Sequence, residues 1–252
     1  AFRAAADPAR FPEQLAQGLR PWQARKLYVR QGFRPTPGDE ASLKLPTGIY
    51  DPLLGRSYFE IAMEGRSQHK SQEMGVVESR GPKTSNLRLL ANLTGPASTA
   101  GAAETSVFDG IDTSIRGLAR LSGLPADALS RELATMDDAV IAALASPDLL
   151  RAPTRIVPHV VRGLDAARAA RTAVAALAAS EDARAEAAFL LEIKERQFED
   201  ALVRAAGVVV DALSDRETVA PGERLSVSVN LFVPDGAPVT PGCVAAAAGA
   251  GV

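Results

Sequence analysis

The stretch "GRSYFEIAMEGRSQHKSQEMG", Gly55 to Gly75, decides how the first part of this chain is read. Ser57 stands three positions before Glu60, the spacing of a capping box, so a helix is predicted to start at Tyr58. Tyr58, Ile61, Ala62, Gly65, His69 and Gln72 then recur at steps of three or four and share one face. The periodicity predicts a single helix from Ser57 to Gln72 whose stripe faces the core. On that reading His69 is mostly buried and hydrogen-bonded, with Arg66 and Lys70 more exposed than it is. Gly65, on the same stripe, would let a neighbouring backbone approach closely, at ~1 kcal/mol of helix propensity.

Upstream of this helix, Phe11 to Leu19 forms a short helix candidate, with Pro12 at its start and Gly18 and Pro21 at its end. "RKLYVRQGF" is rich in β-formers and predicts a short strand, and "RPTPGDE" is a loop by its prolines and glycine. "SLKLPTGIYDPLLG" offers a brief extended piece and a turn. Downstream, "SNLRLLANL" (Ser85 to Leu93) predicts a strand or short buried segment, and "TGPASTAGAAE" is a soft linker.

The character then changes. "SIRGLARLSGL", "PADALSRELATMDDAVIAALA" and the alanine-rich run from about Arg162 to Ala206 are helical by period and propensity. Glu192–Arg196 and Asp200–Arg204 place acid before base at i,i+4, as a solvated helix face prefers. At Gly207 the period switches to that of a strand. "GVVVDALSD" precedes "ETVAPGERLSVSVNLFV", with Ala220-Pro221-Gly222 as the turn between them. Leu225, Val227, Val229, Leu231 and Val233 should face one side and bury against a partner layer, as at the start of a β-sandwich.

Bulk properties narrow the classes. The chain has 252 residues, 46% of them hydrophobic, enough for a sizeable core divided between two units. A net charge of -2 gives no electrostatic case for nucleic acid or an anionic membrane. No apolar run approaches the ~20 residues of a membrane span. The single cysteine, Cys243, excludes an internal disulfide and a cysteine-based zinc site. No G-x-S-x-G elbow, Walker loop, G-x-G-x-x-G or H-E-x-x-H occurs. With two histidines, His69 and His159, a zinc site wholly inside the chain would rest on carboxylates. "AFRAAADPARFPEQ" lacks an initiator methionine and a signal-peptide core, and "GCVAAAAGAGV" stops in small residues. Both ends read as cut from a longer protein.

"GRSYFEIAMEGRSQHKSQ" resembles the late helix of the PIG-L/LmbE-type de-N-acetylases, zinc-dependent hydrolases that remove acetyl groups from amino sugars. The family carries an H-x-S-Q element there, which here is His69-Lys70-Ser71-Gln72. "ADPARFPEQLAQGLRPWQARKLY", "YDPLLGRSYFEIA" and "SVFDGIDTSI" are similar to the flanks of a bacterial branch, so the likeness is strongest from about Asp7 to Thr113. The resemblance implies the C-terminal part of a Rossmann-like α/β hydrolase domain over residues 1–115. A helical connecting region over 116–206 and a truncated immunoglobulin-like β-sandwich over 207–252 would follow it. It implies zinc as cofactor of the parent enzyme and an N-acetylated sugar or glycoconjugate as substrate. The family's A-H-P-D-D element and histidine-rich segment, which supply zinc ligands and general base, are absent from this sequence. No residue here inherits a catalytic or metal-binding role, and the chain alone should lack amidase activity. By analogy with other trailing sandwich domains, the parent would be exported.

His69, Arg66 and Gln72 are the substrate-pocket candidates, each with a plainer reading as a core histidine, a solvated arginine and a backbone anchor. Asp109 and Asp112 fail the spacing of a calcium loop, and Asp112 reads as a helix N-cap. His159 reads as a surface or capping residue, Trp22 as a packing anchor, and Asn92-Leu93-Thr94 as a chance match to a glycosylation acceptor. The rival to the hydrolase is a non-catalytic helical and β-sandwich module that binds carbohydrate or a partner protein.

Overall fold

The computed structural model describes residues 1–31, 41–72, 75, 78–94, 104–220, 222–240 and 242. The predicted "RPTPGDE" loop and most of the "TGPASTAGAAE" linker lie outside them. The chain divides into two compact units, Ala1–Ile111 and Asp112–Val252.

In the first unit α1 spans Pro12–Ala16, with Pro12 at its first turn, where a missing N–H costs nothing. Strands β1 (Lys26–Arg30) and β2 (Leu43–Pro46) follow, then the two-residue strands β3 (Tyr50–Asp51) and β4 (Arg56–Ser57). Helix α2 is Tyr58–Ser67, and β5 is Thr84–Asn92. β5 is the centre of a three-stranded antiparallel sheet, with β1 on one side and β2 on the other. Its leucines are Leu87, Leu89 and Leu90. Leu89 and, opposite Leu87 on β2, Leu43 are buried. β1 takes the other sense from its apolar residues. Leu27 and Val29 are exposed, while Lys26 and Tyr28 turn inward, past a register shift between Leu27 and Tyr28. β3 and β4 form a small hairpin, whose turn is held by Asp51 Oδ1 accepting from Leu53 and Leu54 N–H.

Trp22 is 62% exposed and anchors no core. The proline before it leaves it on an extended segment whose backbone N–H reaches Ala5 O at 3.0 Å, while its ring faces solvent.

The second unit is built on helices. α3 (Leu118–Leu121) is short; α4 is Ser130–Leu144, α5 Val157–Val174 and α6 Glu181–Ala206. The alanine-rich run is therefore two helices and not one. Ser180 breaks it, its hydroxyl accepting from Ala183 N–H as an N-cap with Glu181 and Asp182 in the first turn. Gly207, at φ +68°, ends α6 in the left-handed conformation that glycine adopts without a Cβ penalty. α5 packs against both α4 and α6. The core has Leu133 and Met136 from α4, Val160, Leu164, Ala167 and Ala170 from α5, and Ala187, Leu191 and Phe198 from α6. Small residues on α5 bring the neighbouring helix close. At Gly163 an added Cβ would lie 2.2 Å from Phe198 Cε1, so the phenyl ring occupies the space a side chain would need. On the solvent side Arg168 bridges Glu195 (2.9 Å) and Glu199 (2.7 Å), and Arg171 reaches Glu195 at 2.6 Å. The Glu192–Arg196 pair forms as its spacing predicts.

Asp112 does not cap a helix. Gly117 is the N-cap of α3, and Asp112 instead accepts from Ser114 N–H at 3.0 Å and Ser114 hydroxyl at 2.6 Å. This side-chain turn competes with the helix and delays its start.

Strands β6 (Val209–Ser214) and β7 (Val227–Phe232) pair antiparallel, in a register setting Val210 opposite Leu231 and Ala212 opposite Val229. With Val227 these make one face almost wholly apolar, while Asp211, Asn230 and Ser228 mark the other. The alternation is as the sequence predicts, but the burial is not. Val227, Val229 and Leu231 are 53%, 39% and 37% exposed, because among the described residues no second layer packs on them.

Candidate functional site

The capping box at the head of α2 is complete. Ser57 Oγ accepts from Glu60 N–H at 3.3 Å, and Glu60 Oε2 accepts from Ser57 N–H at 2.8 Å and Ser57 hydroxyl at 2.9 Å. Arg80 Nε donates to Glu60 Oε1 at 3.0 Å. Ser57 and Glu60 are both buried. The Ser57 backbone N–H, then its hydroxyl, and then Arg80 hold the Glu60 carboxyl below the usual carboxylate range against the opposing effect of burial.

That box rotates the helix away from the face its apolar period suggests. Glu60 is the buried residue of α2, flanked by half-buried Phe59 and Met63, while Tyr58, Ala62 and Gly65 are exposed. Among the described residues nothing approaches within 4 Å of a Cβ built on Gly65, so it does not mark a close approach there. The helix also stops early. Gln68 is its C-cap, and Lys70–Gln72 form a separate 3₁₀ turn.

His69 and Gln72 therefore lie beyond the helix and are exposed, while Arg66, within it, is half-buried. The expected order is reversed: the arginine is less exposed than the histidine. Burial of His69 was the ground for placing it at a pocket, and that ground is gone. The structure does not bring His69, Arg66 and Gln72 together around a described cavity. His159, near the start of α5, is half-buried. Asn92 Oδ1 accepts from Thr94 N–H and hydroxyl at 2.9 and 2.7 Å.

The first unit's most buried charges lie elsewhere. Lys26 Nζ donates to Glu104 Oε1 at 2.7 Å and stands 3.4 Å from Tyr28 OH, which itself donates to Glu104 Oε2. The Lys26 and Glu104 side chains are only 4% and 7% exposed. Burial first, then the hydrogen bond to Glu104 and the charges of Glu104 and Asp109, push the Tyr28 hydroxyl far above the ordinary phenol range. Tyr28 thus stays a proton donor, and the lysine neutralises the carboxylate. Asp109 accepts from Thr105 N–H at 2.7 Å and from its hydroxyl, which holds its carboxyl low. Each of Lys26, Tyr28 and Glu104 has a partner within the cluster, which makes it a structural clip between β1 and residue 104. Glu104 N–H, donating to Ser42 O at 2.9 Å, adds a third attachment. Sequence reading missed this trio. Its one signal was Lys26-x-Tyr28 on a single strand face.

Among the described residues no group of three or more His, Cys, Asp or Glu could hold a metal ion. No described helix is long and apolar enough to cross a membrane.

In the second unit a half-open cleft of about 260 Å³ is lined by Ile115, Val140, Lys194, Gln197, Phe198 and Ala201. Val140 comes from α4 and the last four from α6, the two helices that flank α5. No family model, curated protein or solved structure matches the chain.

Proposed function

We propose that residues 1–115 are the C-terminal part of a PIG-L/LmbE-type de-N-acetylase domain, in a protein that hydrolyses the N-acetyl group of an amino sugar or glycoconjugate. One observation carries this reading: the resembling stretch, about Asp7 to Thr113, coincides with the first compact unit, Ala1–Ile111. In this reading the chain supplies scaffold, and none of its residues is assigned to the chemistry. The residues encoded immediately before Ala1 test it. An A-H-P-D-D element and a histidine-rich segment should precede the chain. The longer protein should release acetate from an N-acetylglucosaminyl conjugate and stop when treated with a chelator. Absence of those elements, or of acetate release, rejects the reading.

A second reading is a non-catalytic helical and β-sandwich module with a vestigial hydrolase-like portion, in which residues 207–252 begin an immunoglobulin-like sandwich that binds carbohydrate or a partner protein. It is supported by the apolar face of the β6–β7 hairpin, which is built as one layer of such a sandwich is built. Saturable binding of a sugar or protein partner by a protein lacking the upstream elements would favour it over the enzyme.

A further inference from the structure

The cleft between α4 and α6 is apolar apart from Lys194 and Gln197. Its body is apolar: Ile115 and Val140 are half-buried, Phe198 is buried, and Ala201 lies open at the surface. Lys194 Nζ donates to Gln197 Oε1 at 3.0 Å. A lysine has no acceptor, so the amide turns its oxygen to Lys194 and offers its NH₂ elsewhere. These two residues therefore present to a ligand a positive charge, the remaining ammonium donors and the amide NH₂, with one lone pair left on Gln197 Oε1.

Most of the surrounding acids are engaged by arginines, and Asp200, one turn beyond Gln197, is exposed to solvent. On α4, Asp137 and Asp138 are held by Arg116 at 2.6 and 2.5 Å. On α6, Glu192 pairs with Arg196, Glu195 with Arg168 and Arg171, and Glu199 with Arg168. Lys194 is half-buried and has no carboxylate partner among the described residues. A half-buried ammonium beside an apolar recess attracts an anion more strongly than a fully solvated one would.

The geometry points to a binding site for a small organic carboxylate with an apolar body. Its carboxylate would meet Lys194 and the Gln197 amide, and its body would lie on Phe198, Val140, Ile115 and Ala201. The cleft is just below the ~300–1,000 Å³ of drug-sized sites, which fits a ligand of about a dozen heavy atoms. A cation of the same shape would face the like charge of the Lys194 ammonium. The de-N-acetylase reading concerns the other unit, and this site does not depend on it.

The test uses the full 252-residue chain and three probes of equal chain length: sodium decanoate, decanol and decylamine. Calorimetry, with NMR shifts of the Ile115, Val140 and Ala201 methyl groups as site reporters, should give saturable binding of decanoate and no saturable binding of decylamine. Decanol should bind about tenfold or more weakly, the usual loss of a charge-assisted hydrogen bond. Lys194→Met should weaken decanoate about tenfold or more by the same reasoning. Gln197→Glu, on an exposed position, should do so without changing the cleft's shape, by pairing with Lys194 and repelling the anion. Ala201→Trp should fill the recess and abolish binding. Circular dichroism melts confirm that each variant remains folded. Absence of saturable decanoate binding, equal binding of decylamine, or decanoate affinity unchanged in Lys194→Met and Gln197→Glu would overturn the proposal.

Discussion

Replacing Lys26 by methionine should destabilise the first unit by about 3 kcal/mol, toward the lower end of the cost of stranding one partner of a buried ion pair. The Lys26 and Glu104 side chains are 4% and 7% exposed, so water cannot readily replace the lost ammonium. The lower end applies because Tyr28 OH still donates to Glu104 after the substitution. Adding Glu104→Leu removes the stranded charge but leaves the Tyr28 hydroxyl without its acceptor. The triple variant with Tyr28→Phe replaces the whole polar set by apolar groups of similar volume, and should recover most of the loss. Two units can unfold separately, so a single global midpoint is the wrong readout. Hydrogen exchange of the β1 and β5 backbone amides in a urea series reports the first unit alone. With a slope of about 1–1.5 kcal/mol per molar for a unit of this size, the β1 transition should fall by about 2–3 M in Lys26→Met. A midpoint unchanged by Lys26→Met would refute the buried pair. A triple variant no better than the single one would refute the argument that a stranded charge, and not lost packing, causes the damage.

Two glycines should respond with opposite sign. Gly163→Ala puts a Cβ 2.2 Å from Phe198 Cε1 and should destabilise the helical unit by about 1–3 kcal/mol in thermal melts. Gly65→Ala meets nothing within 4 Å and should stabilise α2 by about 0.5–1 kcal/mol through helix propensity. Acid should weaken the first unit, because Glu60 and Asp109 both have carboxyls held low in the folded state. Their stabilisation is present above the unfolded values of ~4.3 and ~3.9 and is lost as pH falls through the lower folded ones. Exchange of the β5 amides followed from pH 5 downward should show that loss, with a shallower slope in Asp109→Asn. Val229→Lys, on the open face of the β6–β7 hairpin, should change stability by no more than about 0.5 kcal/mol, and a larger loss in urea unfolding would mean that the face is covered.

Local chemistry was what the sequence displayed best. The Ser57–Glu60 box, the prolines bracketing α1, and the strands around Tyr28, Leu89 and Val229 all depend on residues a few positions apart, and all formed. The face of α2 followed a polar attachment and not the apolar period. That period is weak, and Glu60 is held inward by the Ser57 N–H and hydroxyl, while Arg80 reaches it from the solvent side. A helix with one strong polar attachment and a faint apolar stripe follows the attachment. Because the helix also ended at Ser67, one residue before its Gln68 cap, the six-residue stripe reaching to Gln72 was never a continuous surface.

The two places where polar groups are held against apolar surroundings were both hidden for a related reason. Tyr28 and Glu104 lie 76 residues apart, and the residues of β1 that look apolar face outward while Lys26 and Tyr28 face in. No window of sequence contains that pair. The cleft likewise draws Ile115, Val140 and the α6 residues from three separated segments. Its charge depends on a cancellation that only the packed helices reveal, since Arg116 engages two aspartates on α4 while Lys194 has no carboxylate partner among the described residues. Helical spacing identified the Glu192–Arg196 pair, because that pairing is local. Arg168, which spans to Glu195 and Glu199 on the next helix, needed the turn at Ser180 to fold back first. What the chain could bind therefore follows from which charges remain after the inter-helix pairs are made, and that remainder is a property of the fold and not of any motif.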